Sequence, residues 1–210
     1  MNPVSHVILP EPTLRRLPWY LAYVDTIAER GVETVSSTTL SRDLHVDASQ
    51  IAKDLSLLNL KGKTRIGYSV ADLRKALTSF LGFKDPHGAF IIGAGSLGAA
   101  LIQDKGLANY GLQLLGAFDS DPERIGREIG GVPVYDISEI ADVMKRTPAS
   151  IAIITVPAEN AQDVADMAIA AGIKALWNFT PYRINVPEGI VMSSTSIYAN
   201  LALIYNRLKQ

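Results

Sequence analysis

The chain has 210 residues, 48% hydrophobic and 20% charged, with a net charge of −1; these are ordinary globular proportions and exclude an extended disordered chain. It contains no cysteine, which excludes disulfides, thiolate metal sites and cysteine nucleophiles. No apolar run approaches the ~18 residues a membrane span requires, and the first residues, with Pro3, Pro10, Pro12 and Pro18, lack the apolar core of a signal peptide. The chain therefore reads as a cytoplasmic protein.

In chain order, Thr13 is expected to cap a helix whose apolar residues Leu14, Leu17, Leu21, Val24 and Ile27 recur at three and four positions, with Pro18 early in it and Gly31 ending it. Ser36 and Ser37 precede a short helix through Leu40 and Leu44. A turn at His45-Val46-Asp47 leads to a third helix, Ala48 to about Leu58, with Ile51, Leu55 and Leu58 inward. Two short helices joined by a tight turn give a helix-turn-helix outline, whose second helix can enter a major groove. The segment Leu60-Lys61-Gly62-Lys63-Thr64-Arg65-Ile66-Gly67-Tyr68 is basic and punctuated by glycine, which suits a β-hairpin wing that places Lys63 and Arg65 against phosphates. Ser69 then caps a helix from Val70 to about Leu81. Residues 1–80 carry ten Lys/Arg against eight Asp/Glu, and Lys53, Lys61, Lys63, Arg65, Arg74 and Lys75 lie close together in sequence.

After the turn-rich link around Pro86, apolar runs alternate with helical ones. Strands are expected at 89–92, 112–118, 132–135, 150–156, 175–179 and 190–192, and helices at 97–108, 137–146 and 161–171. This alternation predicts an α/β fold with a parallel sheet covered on both faces. A last amphipathic helix is expected over 196–208. The domains read as 1–82 (winged helix), 83–195 (Rossmann-like) and 196–210 (terminal helix).

The chemistry concentrates in Gly88-Ala-Phe-Ile-Ile-Gly93-Ala94-Gly95-Ser96-Leu97-Gly98, a buried strand, glycine turn and helix start, with Asp119 following Gly98 by 21 residues. In such a site Gly93 allows the sharp turn, Gly95 lets backbone N–H groups approach a pyrophosphate, and Gly98 lets the helix pack closely on the sheet. Asp119 can accept an adenine ribose diol and repels a 2′-phosphate. No arginine follows it before Arg124, which favours NAD(H) over NADP(H).

Together these residues resemble the Rex family of redox-sensing transcriptional repressors over nearly the whole chain. The resemblance rests on Gly31-Val-Glu-Thr-Val-Ser-Ser37, Ala48-Ser-Gln-Ile-Ala-Lys-Asp-Leu-Ser56, Gly67-Tyr68, Gly93 to Gly98, Phe118-Asp-Ser-Asp-Pro122, Thr155-Val-Pro-Ala-Glu159 and the stretch from Ala171 to Pro181. It implies a homodimer with a swapped C-terminal helix. It also implies that palindromic operator DNA is bound when NAD⁺ prevails and released when NADH binds. By that likeness Gly93, Ala94, Gly95, Ser96, Leu97 and Gly98 hold the pyrophosphate, and Asp119 with Ser120 the adenosine ribose. Val156, Pro157, Phe179, Thr180 and Pro181 then surround the nicotinamide. Ser49, Gln50, Lys53 and Ser56, on the exposed face of the third helix, contact DNA together with Lys61, Lys63 and Arg65; a glutamine can pair bidentately with adenine.

The departures from the family cluster. Ala52 stands where the family has a basic residue in its recognition helix, and the wing arginine is shifted by one. Ala22, Asp104 and Ser196 occupy positions where the family couples its domains through arginine, tyrosine and aspartate, and Ile197 replaces an aromatic residue. Loss of both charged partners avoids leaving one buried and unpaired, at a cost of a few kcal/mol. Dinucleotide binding is thus expected to survive better than family-type gating. The alternative is an accessory protein that keeps the nucleotide but has lost tight operator binding. A looser likeness links the second half to CoA-binding domains of acyl-CoA synthetases.

An enzyme is not expected. Hydride transfer needs a proton donor beside the nicotinamide, and His6, His45 and His87, the only histidines, are read as surface or packing residues. Lys105, Lys174 and Tyr182 remain as donors, but no further domain is left to enclose a substrate.

Overall fold

The computed structural model describes residues 9–208, and two compact units are distinguished, one ending at Lys84 and the other beginning at Asp85. His6 and the proline at position 3 lie outside the described residues.

The first unit contains α1 (Glu11–Glu29), β1 (Thr34–Val35), α2 (Ser37–Leu44), α3 (Ala48–Ser56), β2 (Tyr68–Ser69) and α4 (Val70–Phe80). Leu17, Leu21, Val24 and Ile27 of α1 close over Leu40, Ile51, Leu55, Leu73 and Leu77 to form its core. Three helix starts are capped by side chains, of which Ser69 was expected as a cap. Ser36 accepts the N–H of Thr39, Asp47 those of Ser49 and Gln50, and Ser69 that of Asp72. Thr13 does not cap α1. The helix begins earlier, after Pro10, and Thr13 is buried inside it. Pro12 takes the first-turn place where a missing N–H costs nothing, and Pro18, expected early, lies inside the helix because the helix starts after Pro10.

The wing is shorter than a hairpin. Its strands reduce to a single bridge between Lys63 and Gly67, while β1 and β2 pair antiparallel beside it. Gly67 has φ of +93°, and a Cβ there would lie 2.4 Å from the carbonyl oxygen of Val35. No other residue type fits that crossing.

The second unit is a seven-stranded sheet in the order β5-β6-β4-β3-β7-β8-β9, from β3 (His87–Ile92), β4 (Leu112–Asp119), β5 (Glu128–Ile129), β6 (Val132–Asp136), β7 (Ile151–Ile154), β8 (Ala175–Asn178) and β9 (Val191–Ser194). All pairings are parallel except β5 with β6, a short hairpin closed by Gly130-Gly131, both at positive φ. The sheet packs on both faces, as continuous apolar strands require. Phe90, Ile92, Phe118 and Ile154 meet α7 (Ile140–Arg146) and α8 (Ala161–Ala170) on one side, while Ile91, Ala117 and Ile153 meet Ile102 of α5 (Ser96–Gln103) on the other.

The expected helix 97–108 is broken in two. Asp104 accepts the N–H of Gly106 at 2.6 Å, a local turn that ends α5 and restarts the chain as α6 (Gly106–Asn109). The last helix, α9 (Ile197–Arg207), has no buried residue; Ile197, Tyr198, Leu203, Ile204 and Tyr205 are all more than half exposed.

Candidate dinucleotide cleft and nucleic-acid face

Strand order in the second unit reverses beside β3: the chain runs outward through β4 and β6, then returns to the other side through β7, β8 and β9. Ligands of open parallel sheets sit in the crevice at the carboxyl ends of strands at such a reversal. A cleft of about 610 Å³ lies there, lined among others by Gly93, Gly95, Asp119, Ser120, Val156 and Pro157.

The glycine turn is held from several sides. A Cβ on Gly93 (φ +98°) would meet the backbone of Thr155 at 2.9 Å, and one on Gly98 would lie 2.0 Å from the Gly93 carbonyl oxygen. Thr155 donates its hydroxyl to that same carbonyl at 2.7 Å. Gly95 differs from both. Nothing lies within 4 Å of its missing Cβ, and it lines the cleft. The N-terminus of α5 that follows has no side-chain cap, so its backbone donors face a cradle that a side chain would fill. That is the geometry a pyrophosphate requires.

Asp119 is buried at the end of β4. Its carboxylate accepts the N–H groups of Ala94 at 2.7 Å, Ser120 at 2.8 Å and Asp121 at 2.9 Å, and Arg124 Nη1 at 3.2 Å. Burial pushes this carboxyl up; the backbone donors of Asp121 and Ala94 and the Arg124 guanidinium outweigh it, and the net displacement is downward. Ala94 is itself buried and lends the site its backbone only, Ser96 is exposed, and Leu97 is half-buried.

Phe179, Thr180 and Pro181 lie outside the cleft lining. Phe179 follows β8 beside β7, donating its N–H to Ile154, and its ring lies 4.7 Å from that of Trp177. Thr180 is buried, with its N–H on Asn178, and Pro181 is exposed. Sequence reading missed Asp121, Arg124, Ile137, Asn160, Asp163 and Met167 of the lining. Asp121 and Arg124 follow Asp119 closely without having been assigned to the site, whereas Ile137, Asn160, Asp163 and Met167 come from segments distant in sequence and carry no motif.

In the first unit, Ser49, Lys53 and Ser56 of α3 and Lys61, Lys63 and Arg65 of the wing are exposed, as is Ala52. Arg65 has φ of +65°, a left-handed conformation at the tip of the tight Lys63–Gly67 turn. Gln50 departs from the expected free surface position. It is half-buried, and its Nε2 donates to Asp54 Oδ1 at 2.9 Å because Asp54 faces inward one turn along the same helix.

Asp54 was the larger omission. It is fully buried and joins α3 to a polar stripe of α1: Thr13 donates at 3.1 Å, Arg16 twice at 2.7 and 2.9 Å, and Tyr20 at 2.8 Å. Burial raises the carboxyl, the bonds from Arg16, Tyr20, Gln50 and Thr13 lower it, and the lowering prevails. The Arg16 guanidinium is correspondingly raised by Asp54. The signal was present in the sequence as Thr13, Arg16 and Tyr20 at helical spacing beside an Asp between Ile51 and Leu55.

Asp104 and Ser196 have local work: Asp104 breaks the helix, and Ser196 caps α9 through the N–H of Ala199.

Comparison with known proteins agrees with both halves. A profile described as "CoA binding domain" matches residues 84–182, and one described as "Putative DNA-binding protein N-terminus" matches residues 8–56. The redox-sensing transcriptional repressor Rex of Porphyromonas gingivalis is 54% identical over 201 residues, covering 96% of this chain and 92% of that protein. This chain belongs to the Rex family of redox-sensing transcriptional repressors. Among solved structures, the Rex-family repressor RSP in complex with β-NAD⁺ and operator DNA matches with a TM-score of 0.92 at 35% identity, covering 96% of this chain and 93% of that one. RSP in complex with β-NADH matches with a TM-score of 0.87 at 36% identity, covering 96% and 95%. The Rex assignment accounts for the winged-helix and Rossmann-like halves together, whereas the CoA-binding likeness describes the second half alone. Among the described residues, no helix is long and apolar enough to cross a membrane.

Proposed function

We propose that this Rex-family chain binds NAD(H) in the cleft around Gly95 and palindromic operator DNA through α3 and the wing, and that NADH weakens its hold on the operator. The observation that carries the reading is the open cradle at Gly95 in a chain that also presents Ser49, Lys53 and Ser56 on an exposed helix. RSP, similar over nearly the whole length, holds a nicotinamide dinucleotide and operator DNA in one structure. Gly93, Ala94, Gly95, Ser96, Leu97 and Gly98 hold the pyrophosphate, Asp119 and Ser120 meet the adenosine ribose, and Ile137 and Met167 supply apolar wall for the adenine. Val156 and Pro157 lead toward the nicotinamide, with Phe179, Thr180 and Pro181 on the adjoining strand end. The bound dinucleotide acts here as a signal. The chain's own groups bind and orient it, and the reading assigns none of them a proton to move.

On the DNA side, Lys53, Lys61, Lys63 and Arg65 neutralise phosphates, and Ser49 and Ser56 stand at the groove. Gln50 braces α3 through Asp54 in place of reading a base. The domains follow the boundaries 1–82, 83–195 and 196–210, and the exposed apolar face of α9 is covered by a second copy of the chain in a swapped homodimer. Such a dimer matches the two-fold symmetry of a palindrome.

The test is fluorescence anisotropy of a labelled palindromic operator at fixed ~100 mM salt, with scrambled DNA as control. Specific binding that weakens at least tenfold with saturating NADH and persists with NAD⁺ is the expected result. Equal affinity for scrambled DNA would leave a nucleotide-binding accessory protein.

A further inference from the structure

The ribose end of the cleft has an unusual feature: the Asp119 carboxylate is already fully subscribed. Two carboxylate oxygens offer about four acceptor positions, and four donors fill them: the N–H groups of Ser120 and Asp121 on Oδ1, and the N–H of Ala94 and Nη1 of Arg124 on Oδ2. Three of these donors are backbone and cannot leave without unfolding the turn. Arg124 can leave, because its side chain is 43% exposed and is also held by Asp121 Oδ2 at 3.4 Å.

We infer that Arg124 determines how the cleft treats the 2′ position of the adenosine ribose. A 2′-hydroxyl can donate to Asp119 only at the place Arg124 vacates, moving over to Asp121, which also lines the cleft. A 2′-phosphate instead finds Arg124 in place: the guanidinium partly offsets two carboxylates and offers N–H donors suited to phosphate oxygens. Without Arg124, Asp119 and Asp121 face a phosphate dianion with no cation between them. The wild-type cleft therefore tolerates NADPH better than its acidic residue alone implies, and removing the arginine sharpens discrimination against it.

The inference rests on the dinucleotide reading and deepens it. The experiment is calorimetric titration of the full-length protein with NADH and with NADPH, for wild type, Arg124→Ala and Arg124→Lys. The NADPH-to-NADH ratio of Kd values is expected to rise at least tenfold in Arg124→Ala, through weaker NADPH together with tighter NADH, whose 2′-hydroxyl no longer competes for its acceptor. Arg124→Lys, which keeps the charge and loses the fork, should lie between. A ratio within twofold of wild type in Arg124→Ala, with NADH still bound, overturns the inference and leaves the dinucleotide reading standing. Absence of binding of either dinucleotide to wild type overturns both.

Discussion

Each unit of the chain buries an aspartate next to its functional surface, and the two are held by different kinds of partner. Asp54 is surrounded by side chains, three from α1 and one from its own helix. Asp119 is surrounded mostly by backbone N–H groups of two loops, with one arginine at the edge. A side-chain cluster fixes how one helix lies on another and therefore aims the exposed row of α3. A backbone cluster fixes a loop and therefore shapes what can bind between loops. The first kind is costly to disturb, because the buried Thr13 and Tyr20 and the partly buried Arg16 and Gln50 all lose one acceptor when it goes. In the second, only the Arg124 contact at the edge can be exchanged for water or ligand while the backbone donors hold the loops.

Asp54→Ala breaks this contrast hardest. It leaves Arg16, Tyr20, Thr13 and Gln50 without their shared acceptor and is expected to destabilise the first unit by about 3 kcal/mol. Amide exchange in α1 and α3 should accelerate and operator affinity fall. Unchanged exchange in α1 would show that the cluster does not tie the two helices. Asp119→Ala is expected to cost about 2 kcal/mol, read as faster exchange at Ala94, Ser120 and Asp121 with loss of NADH binding. If NADH binding survives intact, the turn does not need this aspartate to hold its shape.

The smallest effect is in acid. Both carboxyls lie below their ordinary value in the folded chain, so their contribution is present above the unfolded value of about 3.9 and is lost as pH falls through the lower folded one. Urea midpoints measured from pH 5 downward should fall below about pH 4. Asp54→Asn and Asp119→Asn should each flatten that fall. Parallel curves for all three proteins would remove both groups from the account.

Much of this was legible in sequence, and the reasons differ by element. The central strands of the sheet were plain because residues buried on both faces read as continuous apolar runs, whereas the two-residue edge strand β5 carries no such run and was not expected. Gly93, Gly95 and Gly98 were plain because each has a distinct steric job. Asp104 was hidden because a single polar residue inside an apolar helical pattern does not announce that it will bond its own backbone. Asp54 was hidden because apolar periodicity is blind to a polar cluster inside a core, and Arg124 because its partners are set by a loop geometry that spacing does not encode. The wing was over-read: Gly62 and Gly67 suggested a hairpin, and the crossing over Val35 leaves room for one bridge only.

The hydrogen bond from Ala94 to Asp119 and that from Thr155 to Gly93 have a thermodynamic consequence. A glycine-rich loop free in solution would surrender conformational entropy on gripping a ligand. This one is already tied at both shoulders, so a dinucleotide bound as proposed would meet a preformed seat and lose little affinity to ordering it. The flexibility that three glycines bring to the unfolded chain is settled when the protein folds, before any ligand arrives.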